Sequence, residues 1–205
     1  MNGKNQYLIY VCGLAATGKT SLSKRLVKYL NKKTIPTALI DKDVIANKFV
    51  KKGLQLMGLN QNDRDSPIYK QHFRDLEYEV TLDLIREQLK LGVSCVAPAP
   101  WTNEIKNSSI FNNTYQTKHN LIIKHILLKS TIDRIREKII NRDNPMDEWK
   151  LKNWEEFISS NSSLVIEDLI VLNKGLVLTS HEDVTIEDIV ANLDLNIFKN
   201  PILAP

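Results

Sequence analysis

The stretch Gly13, Leu14, Ala15, Ala16, Thr17, Gly18, Lys19, Thr20 fits G-x-x-x-x-G-K-[ST] and constrains the chain more than any other. A backbone that wraps a polyphosphate turns its N–H groups inward, and side chains at the tightest points would obstruct that turn; Gly13 and Gly18 remove them. Lys19 brings a positive charge to the β- and γ-phosphates, and Thr20 offers its hydroxyl to Mg²⁺. The helix that starts here aims its N-terminal dipole at the same anion. Ala15, Ala16, Thr17 and Ser21 complete the cradle. The motif requires a buried strand before it and an amphipathic helix after it. Tyr7 to Cys12 is a short apolar, β-branched run suited to the centre of a parallel sheet. Leu22, Leu26, Tyr29 and Leu30 recur at helical spacing, while Ser23, Lys24 and Lys28 take the solvent side.

At 205 residues the chain is long enough for one α/β core, and we expect one domain over residues 1–205. With 25% charged and 42% hydrophobic residues and no repeat, the composition argues against a solenoid or a disordered protein. A net charge of +4 suits a polyanionic ligand such as a nucleotide without pointing to nucleic acid. The two cysteines, Cys12 and Cys95, fall in strand-like runs and read as buried reduced thiols. No apolar run has the form of a signal peptide or membrane span, so a cytoplasmic protein is expected.

Along the chain, Ala38 to Ile40 reads as a second strand ending in Asp41, Lys42 and Asp43. Acids at a strand's carboxyl end stand where open α/β sheets bind ligands, which makes Asp41 and Asp43 candidates for Mg²⁺ ligation or general base work. Asp43 is equally a fitting N-cap for a helix Val44 to Lys52. Residues 53–67 read as a mobile loop bordering a second substrate. A long helix is expected from Ile68 to Leu91, with Phe73, Leu76, Val80, Leu84 and Leu91 as its apolar stripe. Arg64 and Arg74, near its start, are candidates for an anionic group of the substrate.

Val93 to Ala97 is a third strand running into Pro98, Ala99, Pro100 and Trp101, and Trp101 is a candidate to line the substrate cleft. This strand lacks the terminal acid that many phosphate-loop proteins use to support Mg²⁺, which leaves that work to Asp41, Asp43 or water. Leu121 to Leu128 is a fourth strand, in which His125 reads as a core histidine. Ser130 is the expected cap of a helix with Ile132, Ile135, Ile139 and Ile140 inward and Arg134, Lys138 and Arg142 along one basic stripe. Arg142, Asp143, Asn144 and Pro145 interrupt that helix where a closing lid would hinge. The amphipathic segment Met146 to Asn161 reads as core packing. Gly175 to Thr179 is the fifth strand, and the turn Ser180 to Asp183 is a suitable place for adenine contacts.

With these residues in place the chain resembles the small P-loop kinases that phosphorylate hydroxyl groups: gluconate kinases, adenylylsulfate kinase, chloramphenicol phosphotransferase, polynucleotide kinases and zeta toxins. It is similar more narrowly, in Asp41 to Asp43, 64–69, Ala97 to Trp101, and Arg142 with Lys150 and Trp154, to a bacterial subgroup of AAA-labelled ATP-binding kinases. The resemblance implies a five-stranded parallel sheet of order 2-3-1-4-5 with helices on both faces. It also implies a substrate-side segment of about 44–75 and a mobile lid of about 136–150 that carries Arg136 and Arg142. The AAA motor machines differ, since they need an acidic strand end that this chain lacks.

The expected activity is transfer of the γ-phosphoryl group of ATP to a hydroxyl of a small polar metabolite. Lys19 and the loop amides hold the phosphates, and Thr20 and Asp41 hold Mg²⁺. Asp43 takes the hydroxyl proton, and Arg136 and Arg142 stabilise the charge in transit. Two alternatives stand beside it, a polynucleotide 5′-hydroxyl kinase and a regulatory module that hydrolyses ATP slowly.

Overall fold

Five short, mostly apolar runs pair in parallel because the helices between them return the chain to the same edge. They are β1 (Asn5–Cys12), β2 (Thr37–Leu39), β3 (Ser94–Pro98), β4 (Asn120–Lys129) and β5 (Leu176–Thr179), in the order β2-β3-β1-β4-β5. The order agrees with the expectation. Every pairing is parallel, with Leu8 opposite Cys95 on one side and Ile123 on the other. The computed structural model describes residues 5–112, 115, 120–160, 164–179 and 184–195.

The connecting helices are α1 (Lys19–Lys32), α2 (Lys42–Leu56), α3 (Pro67–Tyr69), α4 (Asp75–Lys90), α5 (Thr102–Lys106), α6 (Ile132–Arg142), α7 (Glu148–Lys152), α8 (Trp154–Ser160), α9 (Leu164–Leu172) and α10 (Ile186–Asn192). A π turn, Lys70–Arg74, joins α3 to α4, and a 3₁₀ turn, Pro145–Asp147, precedes α7. Along β1 the side chains alternate between layers. Leu8, Tyr10 and Cys12 pack with Tyr78, Ile85 and Leu89 of α4, Ile105 of α5, and Ile166 and Ile170 of α9. Tyr7, Ile9 and Val11 pack on Leu22, Leu26 and Leu30 of α1 and on Ile186, Ile189 and Val190 of α10. Cys12 and Cys95 are buried free thiols.

Several local expectations need correction. The cap of α2 is Asp41, whose carboxylate accepts the Asp43 N–H at 3.0 Å, so Asp43 is released from capping. That helix runs on through Gly53, and residues 53–56 are not loop; an ideal Cβ at Gly53 would lie 2.5 Å from the Phe73 ring, so the glycine permits close packing there.

The helix expected from residue 68 is interrupted by the π turn, whose extra residue rotates the face that follows. Leu76 and Val80 are consequently 57% and 50% exposed, and the buried stripe is Glu77, Tyr78, Thr81, Ile85 and Leu89. Thr131, not Ser130, caps α6, and Ile132 and Ile140 lie on its exposed side. The segment from Met146 divides into a 3₁₀ turn and two short helices, with Phe157 buried and Leu151 exposed. The expected turn at Ser180 to Asp183 lies outside the described residues. Among the described residues no helix is long and apolar enough to cross a membrane.

Candidate active site

The phosphate loop leaves β1 at the carboxyl edge of the sheet, at the point where strand order reverses. Gly13 stands at φ 134°, and a Cβ built on it would lie 2.4 Å from the Leu128 carbonyl oxygen. Gly18, at φ 96°, turns the chain into α1. The start of α1 has no side-chain cap and no acid in its first turn, so its N–H groups are left for an anion. Thr17 ties the loop by donating its hydroxyl to the Leu14 carbonyl at 2.9 Å. Leu14, Ala15 and Ala16 back against Ile135, Ile139 and Phe157, which fixes the loop beneath α6 and α8.

Lys19 lies in this cradle and donates to the Leu14 carbonyl at 2.5 Å. Burial lowers its pKa to about 8; the carboxylate of Asp43 opposes that fall, and the charges of Arg142 and Lys42 add to it. The charges of Asp43, from α2, and Arg142, from the end of α6, both reach Lys19 at the start of α1.

Thr20 donates its hydroxyl to Asp41 Oδ2 at 3.3 Å. Burial raises the Asp41 pKa, and repulsion from Asp43 adds to it, against the Asp43 N–H and the Thr20 hydroxyl. A hydroxyl and a carboxylate oxygen side by side fit a Mg²⁺ that arrives with phosphates and keeps waters, because that ion needs few protein ligands. Among the described residues no group of three or more His, Cys, Asp or Glu could hold a metal alone.

Asp43 has a 67% exposed side chain and pairs with Lys42 at 2.8 Å. The surrounding protein opposes its charge, but Lys42, followed by Lys19 and Arg64, outweighs that and holds its pKa below the usual value. Asp43 thus favours its ionised form. Behind it Lys42 reaches Glu77 at 3.1 Å, and Glu77 also takes Arg64 at 2.5 Å and the Tyr69 hydroxyl. Burial works against the charge of Lys42, but Asp43, the nearby tyrosines and Glu77 raise its pKa overall.

The remaining candidates are placed less uniformly. Arg64 is engaged by Glu77 and by Asn47 Oδ1 at 2.7 Å; Arg74 is bidentate to Glu104 at 3.0 Å and stacks over Tyr78. Trp101 is fully buried between Tyr10 and Tyr78, donating its indole N–H to the Ala97 carbonyl at 2.9 Å, so it faces the core and not a cleft. Ser21 is exposed on the first turn of α1. Arg142 is held by both oxygens of Asp147, whereas Arg136 lies over the Trp154 ring. His125 is a buried ring stacked on Tyr10, with burial lowering its pKa to about 4.

Sequence reasoning missed the buried acids Glu77, Glu104 and Asp147, each of which holds an arginine. For Glu77 the signal was available, since it shares i, i+4 spacing with Thr81, Ile85 and Leu89.

A family described as an AAA domain, AAA_33, matches residues 8–162. The fold is similar to that of a solved chain from the PezAT chromosomal toxin–antitoxin system of Streptococcus pneumoniae (TM-score 0.56, 14% identity, 94% of this chain and 78% of that one). It is also similar to a candidate kinase from Chloroflexus aurantiacus J-10-fl (TM-score 0.51, 18% identity, 92% and 96%). A gluconokinase from Sinorhizobium meliloti aligns at TM-score 0.49 and 13% identity over 90% of this chain and 87% of that one. At these identities the likeness is one of fold. No curated protein matches the sequence.

Proposed function

The chain belongs to the AAA_33 family of AAA domains, and from that premise we propose that it is an ATP-dependent kinase transferring the γ-phosphoryl group to a hydroxyl of a small polar metabolite. One observation carries the reading: the phosphate-loop lysine feels the charges of an ionised carboxylate that caps nothing, Asp43, and of an arginine at the end of α6, Arg142. A protein that only held ATP would need the first of these.

In this reading Lys19 and the amides of Gly13 to Thr20 hold the β- and γ-phosphates. Thr20 and Asp41 hold Mg²⁺, which when bound neutralises charge on the phosphates. Asp43 orients the acceptor hydroxyl and takes its proton late, so orientation counts for more than basicity. Arg142, with one Nη outside its pair with Asp147, stabilises the charge in transit, and Arg136 joins it when the lid closes. Residues 1–205 act as one domain, with 44–75 on the acceptor side and 136–150 as the lid. Acceptor-dependent ADP release over a library of hydroxyl metabolites tests the proposal. At least one acceptor should raise the rate over ATP alone, and a rate indifferent to every acceptor and to 5′-hydroxyl oligonucleotides would favour the regulatory module.

A further inference from the structure

Lys150 has no place in the chemistry above, yet its ammonium is buried between two carboxylates from separate segments of the chain. Its Nζ lies 2.6 Å from Asp65 Oδ2, in the segment before α3, and 2.9 Å from Asp147 Oδ1, in the turn after α6. Asp147 is itself almost fully buried and grips Arg142 through Nε and Nη2 at 2.5 and 2.6 Å. One residue before Asp65, Arg64 begins a second chain of ion pairs, through Glu77 and Lys42 to Asp43. Other contacts between 60–70 and 148–149 are weaker: Asn60 donates to Glu148 at 3.4 Å, and Lys70 lies 5.2 Å over the Trp149 ring.

We propose that Lys150 is a positioning residue that couples the 60–66 segment to Arg142 through Asp65 and Asp147, so that the lid arginine and the acceptor carboxylate are set together. The catalytic consequence rests on the kinase reading; the coupling itself does not. Physically, the two carboxylates, Asp147 buried and Asp65 partly buried, share one cation, and removing it takes a counter-charge from both where water screens poorly. Asp147 then has Arg142 alone to neutralise it, and the 60–66 segment keeps toward the lid only the weaker contact of Asn60 with Glu148. Phosphates that draw on Arg142 would, through the intact chain, also order the 60–66 segment; a simple structural staple would lend stability without relaying that response.

The test is hydrogen exchange of the full chain, with and without a non-hydrolysable ATP analogue, in the wild type and in Lys150→Met, Lys150→Arg and Asp65→Asn. In the wild type the analogue should slow exchange together at 142–147 and 60–66, by roughly fivefold or more at each, the lower end of ordinary coupling. In Lys150→Met the 142–147 response should persist and the 60–66 response vanish, and Lys150→Arg should restore it. Should Lys150→Met not fold, Asp65→Asn, which removes only the loop carboxylate's charge, should show the same uncoupling.

A 60–66 segment that answers the analogue in the folded Met or Asn variant as it does in the wild type overturns the proposal, as does a wild type in which 60–66 never responds. Once an acceptor is in hand, Lys150→Met should lower kcat about tenfold with KM for ATP unchanged. A chain that binds the analogue but transfers nothing sinks the kinase reading, while the exchange result still judges the coupling.

Discussion

Lys19 carries a charge that the fold makes conditional on pH. Burial brings its pKa to about 8, whereas bound phosphates favour the protonated form, so nucleotide binding above that pH must take up a proton. Affinity should be level below pH 8 and weaken above it by up to about tenfold per pH unit. An affinity that holds level well above that point, by calorimetric titration, would assign the depressed lysine no part in binding. Lys19→Ala should abolish phosphotransfer and leave the fold intact, because a loop lysine adds little to the core; undiminished turnover in the folded variant would falsify the phosphate-loop assignment.

The two acids at the end of β2 divide the work differently. Asp41 caps α2 and touches Thr20, so Asp41→Asn should keep the helix start and shift the Mg²⁺ requirement upward, whereas Asp41→Ala should also lose about 1 kcal/mol of stability with the cap. Chemical denaturation and a Mg²⁺ titration of the two variants separate these effects.

At the scale of elements, packing on both faces made the strands legible and left the helix faces ambiguous. β1, β3 and β4 are apolar runs bounded by turn residues, and a centre strand covered on both faces leaves that signature. In the α4 region both 76/80/84 and 78/81/85/89 fit a helical period, and the π turn at Lys70–Arg74, which the sequence does not announce, decided between them. The helical extent of α2 was hidden for a related reason, since Gly53 normally argues for a break and here admits the Phe73 ring. Gly53→Ala should therefore destabilise the fold by about 1–3 kcal/mol in spite of the better helix propensity of alanine, as overpacking does. A gain in melting temperature for that variant would mean that the α2 contact with Phe73 is loose.

At the scale of the whole molecule, the sheet's carboxyl edge gathers the phosphate loop and the β2 acids, and that gathering was readable because each follows a strand end. The long-range ion pairs that hold the pieces were not readable, since Glu77, Glu104 and Asp65 find their partners at sequence distances that no local pattern encodes. If the cleft closes on nucleotide, residues 53–66 and 142–147 should be protected from proteolysis by an ATP analogue, and equal cleavage with and without it would favour a static binding module.

Following a γ-phosphate label tests most directly whether the γ-phosphoryl group leaves ATP for a hydroxyl held by Asp43. With the best acceptor from the library, the label should pass to the acceptor. In Asp43→Asn, whose helix cap and nucleotide contacts are untouched, transfer should drop by roughly 10²–10⁴-fold with ATP affinity and melting temperature near wild type. Label that appears only as free phosphate in the wild type, or that reaches the acceptor as fast in Asp43→Asn, would contradict the account.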